Sequence, residues 1–190
     1  IDRGLVGSEM CIRDRKNLIH PKAEPEIAFM LKEDLRGEVS VQQALSTCSG
    51  IYAAVEVLDS RFQNFEFKLP DVIADNCSAS VFAISRQPIS TIAVDVSDVP
   101  MELILNDEVV QSGSSAEIFG NPLASLAELS RLLAERGEYL PAGSIVMSGA
   151  ATAAVAFKAG DQIQVNVKGV GSVSLSVEES VSYTHLTLPT

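Results

Sequence analysis

The chain has 190 residues, of which 46% are hydrophobic, and a formal net charge of −11 at pH 7. This length is enough for one domain with a sizeable hydrophobic core. An acidic chain without a basic stripe lacks the electrostatics of nucleic-acid binding and of attachment to anionic membranes. The sequence also contains no apolar run as long as a transmembrane helix. We therefore expect neither nucleic acid nor a membrane among its partners.

The two ends of the chain match translated adapter DNA from the preparation of sequencing libraries. Residues 5–15, LVGSEMCIRDR, match a transposon-end adapter, and residues 181–190, VSYTHLTLPT, match one frame of the opposite adapter. Such segments are set aside before the fold is considered. We expect residues 1–15 and 181–190 to be adapter-derived tails without specific packing partners. We expect the domain to span residues 16–180 and to lack its N-terminal segment.

Two cysteines remain between these tails, Cys48 and Cys77. Their spacing matches no metal-binding or disulfide motif. Free thiols of this kind are typical of reducing compartments. We expect two reduced cysteines, in or near the core, in a cytoplasmic protein.

The first half of the domain predicts strands and two short helical segments. Alternating residues predict a strand at 19–31, in which Pro25 indicates an edge strand or an irregularity. Ser40 is a predicted helix N-cap, with Gln43 as its capping-box partner. Two further elements follow, a strand at 51–58 and a helical turn at 70–76.

The second half predicts mainly strands and one long helix. Strands are predicted at 81–84, 91–96, 101–106, 108–111, 144–147, 162–167 and 172–177. Asn106-Asp107 is the predicted hairpin turn. The helix follows Asn121-Pro122, spans 123–136 with a leucine stripe, and ends at Gly137. This order predicts one α+β domain that is mostly β, rather than an alternating βαβ domain.

Three glutamates suggest a metal site. Glu24 and Glu26 lie one residue apart in the first predicted strand, and Glu56 lies in the next one. Residues i and i+2 of a strand share one face, and a glutamate in an apolar strand is costly unless it is paired or binds a ligand. Carboxylates without evident charge partners suit a hard cation such as Mg²⁺ or Mn²⁺. The alternative is that Glu24 and Glu26 lie on a solvated strand face.

Several segments of the sequence carry a resemblance to a known family. They are Leu18-Ile-His-Pro-Lys-Ala-Glu-Pro-Glu-Ile, Val55-Glu-Val-Leu-Asp-Ser-Arg, Val72-Ile-Ala-Asp-Asn, Leu132-Leu-Ala-Glu-Arg-Gly, Ile145-Val-Met-Ser-Gly-Ala and Gly169-Val-Gly-Ser-Val. With them, the sequence resembles the decarboxylase–hydratase branch of the fumarylacetoacetate hydrolase superfamily over nearly all of residues 16–180. The resemblance implies a mixed β-roll or sandwich with one long helix. It also implies a Mg²⁺ or Mn²⁺ ion held by Glu24, Glu26 and Glu56.

The resemblance further implies a carbon–carbon lyase acting on a small 2-oxo dicarboxylate. The segments His20-Pro-Lys and Ala151-Thr-Ala-Ala-Val favour decarboxylation of 2-oxo-3-hexenedioate to 2-hydroxypenta-2,4-dienoate, a step of aromatic meta-cleavage catabolism. Hydration of 2-hydroxypenta-2,4-dienoate, or a truncated chain that binds metal without turnover, are the alternatives. The family's upstream lysine, in a glycine-rich motif near the substrate, would precede Lys16. We expect a homo-oligomer, and a complex with a paired hydratase is an open alternative.

Four further residues are candidates for the site. Lys22, on the predicted metal face, is a catalytic candidate, with an ordinary surface lysine as the alternative. Ser148 is a catalytic candidate through its hydroxyl or its backbone N–H. Arg61 is a candidate for substrate binding, and an ion pair with Asp59 that orients a metal ligand is the alternative. Ser78 is a candidate for substrate binding, because it is the residue of the segment Cys77-Ser-Ala-Ser that fits a polar position facing the substrate.

Four other residues have structural interpretations. Asp75-Asn76 is predicted to hold a turn through side-chain to backbone hydrogen bonds. Cys77 is predicted to be a small buried residue. His20 is predicted to be a packed or edge histidine rather than an acid–base group.

Overall fold

The computed structural model describes residues 4–6, 10–12, 18–91 and 93–177. The strands are β1 (Gly4–Val6), β2 (Met10–Ile12), β3 (Lys22–Leu31), β4 (Cys48–Leu58), β5 (Ala79–Ile84), β6 (Pro100–Leu105), β7 (Glu108–Ser114), β8 (Ile145–Met147), β9 (Val155–Ala156), β10 (Gln162–Val167) and β11 (Gly171–Val177). The helices are α1 (Val41–Ser46), α2 (Leu69–Ala74) and α3 (Pro122–Ala134), with 3-10 turns at Gln63–Phe65, Asn76–Ser78 and Ser115–Glu117. None of the helices in these ranges is long and apolar enough to cross a membrane.

The strands form two sheets that pack face to face. The first sheet has the order β1-β5-β4-β3-β8, with β9 also paired to β3, and the second has the order β2-β11-β10-β6-β7. Ile27 and Phe29 of the first sheet and Met101, Leu103 and Ile163 of the second belong to one buried apolar cluster. The predicted α+β class, mostly β with one long helix, is confirmed.

The central strands β3 and β4 are buried on both faces. One face of each strand joins the core between the sheets. The other face contributes Ala28, Tyr52 and Ala54 to a separate apolar cluster with Ile84. Because side chains alternate along a strand, the even-numbered residues 24–28 of β3 and 52–56 of β4 point to this second face. Glu24, Glu26 and Glu56 are even-numbered and therefore share it.

The helices begin where the sequence predicts them. Ser40 and Gln43 form the capping box of α1, in which the Gln43 N–H donates to Ser40 Oγ and the Ser40 N–H donates to Gln43 Oε1. Asn121 Oδ1 accepts the Leu123 N–H at 2.9 Å and caps α3. The apolar face of α3 is buried through Leu126. All three predicted helical segments are present, with α2 at Leu69–Ala74 rather than 70–76 and α3 at Pro122–Ala134 rather than 123–136.

One predicted strand is wrong. The described residues of 91–96, all but 92, form a turn followed by irregular chain. Val96 is buried, and its carbonyl accepts the Ser115 hydroxyl rather than a ladder N–H. Asp95 accepts the Ser97 N–H and continues the turn. The apolar alternation therefore reflects packing of an irregular segment onto the core, which periodicity alone does not distinguish from a strand.

The N-terminal stretch makes contacts that the sequence did not predict. β1 pairs in parallel with β5, and β2 pairs in parallel with β11. The expectation that residues 5–15 have no specific partners is therefore wrong for Leu5–Val6 and for Met10–Ile12. Main-chain pairing at an open sheet edge requires no particular side chains, so an unrelated segment can add to it. The adapter origin stays a prediction, and residues 181–190 lie outside the described residues.

Candidate metal centre and substrate cavity

The three predicted metal ligands converge on one face of the β3–β4 pair. Glu24 and Glu56 are directly opposite each other in the antiparallel ladder, and Glu26 follows Glu24 by one pleat. One carboxylate oxygen from each residue lies within 4.8 Å of those from the other two. Like charges directly opposite each other destabilise a sheet. The arrangement therefore calls for a compensating charge.

Burial makes this cluster more unfavourable when it is fully ionised. Burial and the neighbouring Glu56 raise the pKa of Glu24 to about 7, and Lys22 opposes the shift. Glu26 is 1% exposed, and burial followed by the charge of Glu56 raises its pKa well above the ordinary value. Burial likewise raises the pKa of Glu56. Oxygen ligands at this spacing fit a hard divalent cation, which would stabilise the ionised form of all three.

The partner strand of β3 is interrupted opposite the glutamates. β8 pairs with Ala28–Met30 and β9 pairs with Lys22–Ala23, so residues 148–154 loop out beside the intervening residues of β3. The Ala151 N–H donates to the Pro25 carbonyl at 3.1 Å. The N–H and the C=O of one strand residue point to the same side of the strand. A residue other than proline at position 25 would therefore also have pointed its N–H toward this loop. The predicted irregularity at Pro25 is confirmed, although β3 is a central strand.

The looped segment orients one of the predicted metal ligands. The Gly149 N–H donates to Glu26 Oε2 at 2.9 Å. Gly149 has φ +107, a conformation that favours glycine. The carbonyl of Ser148 accepts the Ser125 hydroxyl of α3 at 2.8 Å, which ties the loop to the long helix. Glu26 is thus held by an N–H that the sequence did not predict.

Ser148 does not face the glutamates as a free donor. Its backbone N–H and its hydroxyl both donate to the Ile27 carbonyl, at 3.0 and 2.7 Å. The side chain is buried. Both donors that the sequence predicted for substrate thus have a protein partner, and the catalytic role of Ser148 stays a prediction.

Arg61 pairs with a different carboxylate from the one predicted. Its Nε lies 2.5 Å from Asp75 Oδ1, and a second guanidinium N–H donates to the Asp75 carbonyl at 2.8 Å. Asp59 instead accepts the backbone N–H groups of Ile19 and His20, both at 2.8 Å. The predicted Arg61–Asp59 ion pair is wrong, because the chain after β4 folds back and brings Asp75 to Arg61.

Asp75 organises the segment between β4 and β5. Burial favours a higher pKa, but hydrogen bonds from Ser78, Ser60 and Arg61 outweigh it, and the net pKa of Asp75 is lowered. The Ser78 hydroxyl donates to Asp75 Oδ2 at 2.8 Å. Ser78 is 2% exposed, so the structure does not bring it to a substrate-facing position. The structural role predicted for Asp75 agrees with these contacts.

A cavity of about 430 Å³ adjoins Glu56. Its lining includes Arg61, Asn76, Ser80 and Phe82. This volume is in the range of small-molecule sites. Cys77 beside it is exposed, with φ +55, and not buried as the sequence predicted, because the left-handed turn directs it outward. The buried position predicted for Cys48 is confirmed.

Lys22 and His20 flank an aromatic ring. Lys22 Nζ lies 4.0 Å from the centroid of Phe65, and the His20 ring lies 4.8 Å from the same centroid. His20 Nε2 is buried, and it has no hydrogen-bond partner in the part of the chain that the structure describes. The sequence predicted neither contact. Asn64, a residue that tolerates the left-handed conformation, was the signal for a turn that reorients Phe65.

Comparison with known proteins identifies the family. Residues 3–178 match the family described as Fumarylacetoacetate (FAA) hydrolase C-terminal. A 4-oxalocrotonate decarboxylase of a Pseudomonas sp is 41% identical over 165 residues, which cover 86% of this chain and 63% of that protein. A 2-keto-4-pentenoate hydratase 1 of Dechloromonas aromatica (strain RCB) is 33% identical over 180 residues, which cover 91% of this chain and 68% of that protein.

A solved structure supports the same assignment. The 4-oxalocrotonate decarboxylase from Pseudomonas putida G7, complexed with magnesium and adipate, matches with a TM-score of 0.84 and 38% identity over 92% of this chain and 66% of that one. The chain spans 61–63% of the length of three curated decarboxylases that it matches. The resemblance noted in the sequence is confirmed. The chain belongs to the fumarylacetoacetate (FAA) hydrolase C-terminal family.

Proposed function

We propose that this chain is the metal-binding part of an enzyme that decarboxylates 2-oxo-3-hexenedioate to 2-hydroxypenta-2,4-dienoate, in the breakdown of aromatic compounds by meta cleavage. The observation that carries the proposal is the convergence of Glu24, Glu26 and Glu56 within 4.8 Å in a member of this family. The decarboxylase relatives at 41–43% identity favour this reaction over hydration, since the hydratases are 33–34% identical.

The three carboxylates would hold Mg²⁺ or Mn²⁺. When bound, the cation supplies a Lewis acid for the 2-oxo group of the substrate. Glu26 is held in place by the Gly149 N–H, so its orientation does not depend on the ligand. Ala28 and Ala54 are fully buried on the same face and form an apolar floor beside the carboxylates.

The surrounding side chains give the substrate its space and its charge complement. The cavity beside Glu56 accommodates a small dicarboxylate next to the metal ligands. Three carboxylates nearly neutralise a divalent cation, so a dianionic substrate needs further positive charge. Lys22 shares the carboxylate face, and Arg61 lines the cavity. We assign both to substrate attraction, with Lys22 nearer to the reacting atoms.

Two further parts of the proposal concern the setting of the enzyme. Free Cys48 and Cys77 support a cytoplasmic location. The exposed apolar side chains Leu69 and Ile73 on α2 support a homo-oligomer. Association with a paired hydratase is tested by co-purification, and the oligomeric state by sedimentation.

The decisive experiment assays this chain and a longer chain of the relatives' full length. Each is given 2-oxo-3-hexenedioate and 2-hydroxypenta-2,4-dienoate with Mg²⁺, with EDTA, and with Mg²⁺ restored. We expect CO₂ release from the dioate, abolished by EDTA, at least in the longer chain. Hydration of the dienoate without CO₂ release would establish the hydratase instead. Binding of Mg²⁺ without turnover by either chain would mean that the protein is not catalytic.

A further inference from the structure

Lys22 is a cation whose charge acts on the neighbouring Glu24 without a salt bridge between the two residues in the described part of the chain. Within the part of the chain that the structure describes, its ammonium makes no hydrogen bond or ion pair. Its side chain lies instead over the face of the Phe65 ring, with Nζ 4.0 Å from the centroid. Lys22 lies two residues before Glu24 on the same face of β3. Its charge is therefore available to a ligand of the glutamate cluster.

Phe65 is fixed from several sides. Asn64 and Phe65 have φ of +57 and +58, a conformation that non-glycine residues adopt only when their surroundings impose it. The ring packs on His20, at 4.8 Å between centroids, and contacts Phe67 at 6.2 Å. The His20 backbone is itself held by Asp59 at 2.8 Å. The position of the Phe65 ring is thus set by the fold, whereas the lysine stem is flexible.

Arg61 is the competing cation, and it already forms an ion pair with Asp75. Its guanidinium contacts both a carboxylate oxygen and the carbonyl of Asp75. Two strand residues span about 6.6 Å. That distance suits a short dicarboxylate with one end at the glutamate cluster and the other at Lys22. Of these two cations, Lys22 on the β3 side of the site is therefore the one without a salt bridge in the described part of the chain.

We propose that Phe65 is a positioning residue that holds the Lys22 ammonium for the second carboxylate of a dicarboxylate ligand. The inference rests on the proposed function, because it takes the glutamate cluster as the site of the first carboxylate and its metal. Phe65 acts through Lys22 and does not touch the ligand. The pair selects dicarboxylates over monocarboxylates of the same length.

The test measures binding of adipate and of hexanoate to the Mg²⁺-loaded chain by calorimetry. The unaltered protein prefers adipate, and Lys22→Met abolishes the preference. Phe65→Leu weakens adipate binding by about twofold to fivefold, the range expected for a lost cation–π contact at a partly exposed site, and leaves hexanoate unchanged. Phe65→Tyr, which retains the aromatic ring, binds adipate with the affinity of the unaltered protein. Phe62→Leu is the matched control, because Phe62 packs on Phe67 and does not contact Lys22.

A double variant separates positioning from general loosening of the segment. In the Lys22→Met background, Phe65→Leu has no further effect on the ratio of adipate to hexanoate affinity. Two results, obtained with normal Mg²⁺ binding, would overturn the inference. One is an equal loss of adipate affinity in Phe62→Leu and Phe65→Leu, and the other is a preference for adipate that survives Lys22→Met. Absence of Mg²⁺ binding in the unaltered chain would contradict the proposed function itself and this inference with it.

Discussion

Glu26 is the most buried of the three carboxylates in the proposed metal centre. We predict that Glu26→Gln weakens Mg²⁺ binding by at least about 100-fold, more than the loss of an outer-shell partner usually costs. The same change leaves the metal-free melting temperature unchanged or raises it, because a buried ionisable group is removed. Calorimetry and thermal melting measure the two effects. Glu33→Gln, at an exposed position, is the control. A metal affinity that survives the Glu26 change would exclude this residue as a ligand.

The raised pKa values predict how stability depends on pH. In the unfolded chain a glutamate ionises near its ordinary 4.5, whereas Glu24 in the fold keeps its proton until about pH 7. Between these values the folded state binds more protons than the unfolded state, so the free energy of unfolding falls as pH rises. We therefore predict that the metal-free melting temperature falls between about pH 5 and pH 7.

Metal reverses this trend, because it binds the ionised carboxylates. Stabilisation by Mg²⁺ increases as pH rises through the pKa of Glu24, and melting with and without Mg²⁺ from pH 5 to 8 measures both slopes. The Glu24→Gln variant reports how much of the slope belongs to this residue. A metal-free protein whose stability rises across the window would contradict the assigned direction.

For individual residues, the sequence predicts the proposed metal ligands better than the groups that hold the site in place. Glu24, Glu26 and Glu56 follow from strand alternation and from the cost of a carboxylate in an apolar strand. The partners of Arg61 and Ser148 do not, because they depend on which backbone groups approach after the chain folds back. The N–H of Gly149 carries no side-chain signal at all.

Among the structural elements, β7 controls the loop that holds Glu26. A Cβ atom on Gly113 would lie 2.7 Å from the Ala151 carbonyl oxygen and 2.9 Å from Thr152 Cγ2. We predict that Gly113→Ala displaces residues 148–154, costs about 1–3 kcal/mol of stability, and weakens Mg²⁺ binding through the Gly149 contact. Denaturant unfolding and calorimetry measure the two losses.

The matched control for Gly113→Ala is Ser112→Ala in the same strand, at an exposed position. It should change neither quantity. A stability loss at Gly113 with unaltered metal affinity would show that the loop moves without disturbing Glu26.

The elements differ in how well the sequence predicts them. The hairpin between β6 and β7 was predictable, since Asn106 and Asp107 both adopt positive φ and both residue types tolerate it. The failed strand at 91–96 has the same apolar alternation as the true strands. What separates it is the availability of a neighbouring ladder, which is a property of the whole sheet and not of the segment.

For the whole molecule, the outer edges of the two sheets are the features least predictable from sequence. β5 and β11 are each covered by a three-residue strand, β1 and β2. We predict that deletion of residues 1–12 exposes both edges, lowers the melting temperature by several degrees, at roughly 2–4 °C per kcal/mol lost, and increases self-association. Melting and size-exclusion chromatography measure these changes. An unaltered melting temperature would indicate that residues 1–12 are a tail that does not stabilise the fold.

The placement of the three carboxylates on adjacent, antiparallel strands has a consequence for the order of folding. All three ligands are in register as soon as β3 and β4 pair, before the second sheet has docked on them. If the three carboxylates hold a cation as proposed, a cation present during refolding would bind the newly paired β3 and β4 as well as the finished protein. Mg²⁺ would then speed the folding step itself, in addition to slowing unfolding, because it stabilises contacts already made in the transition state.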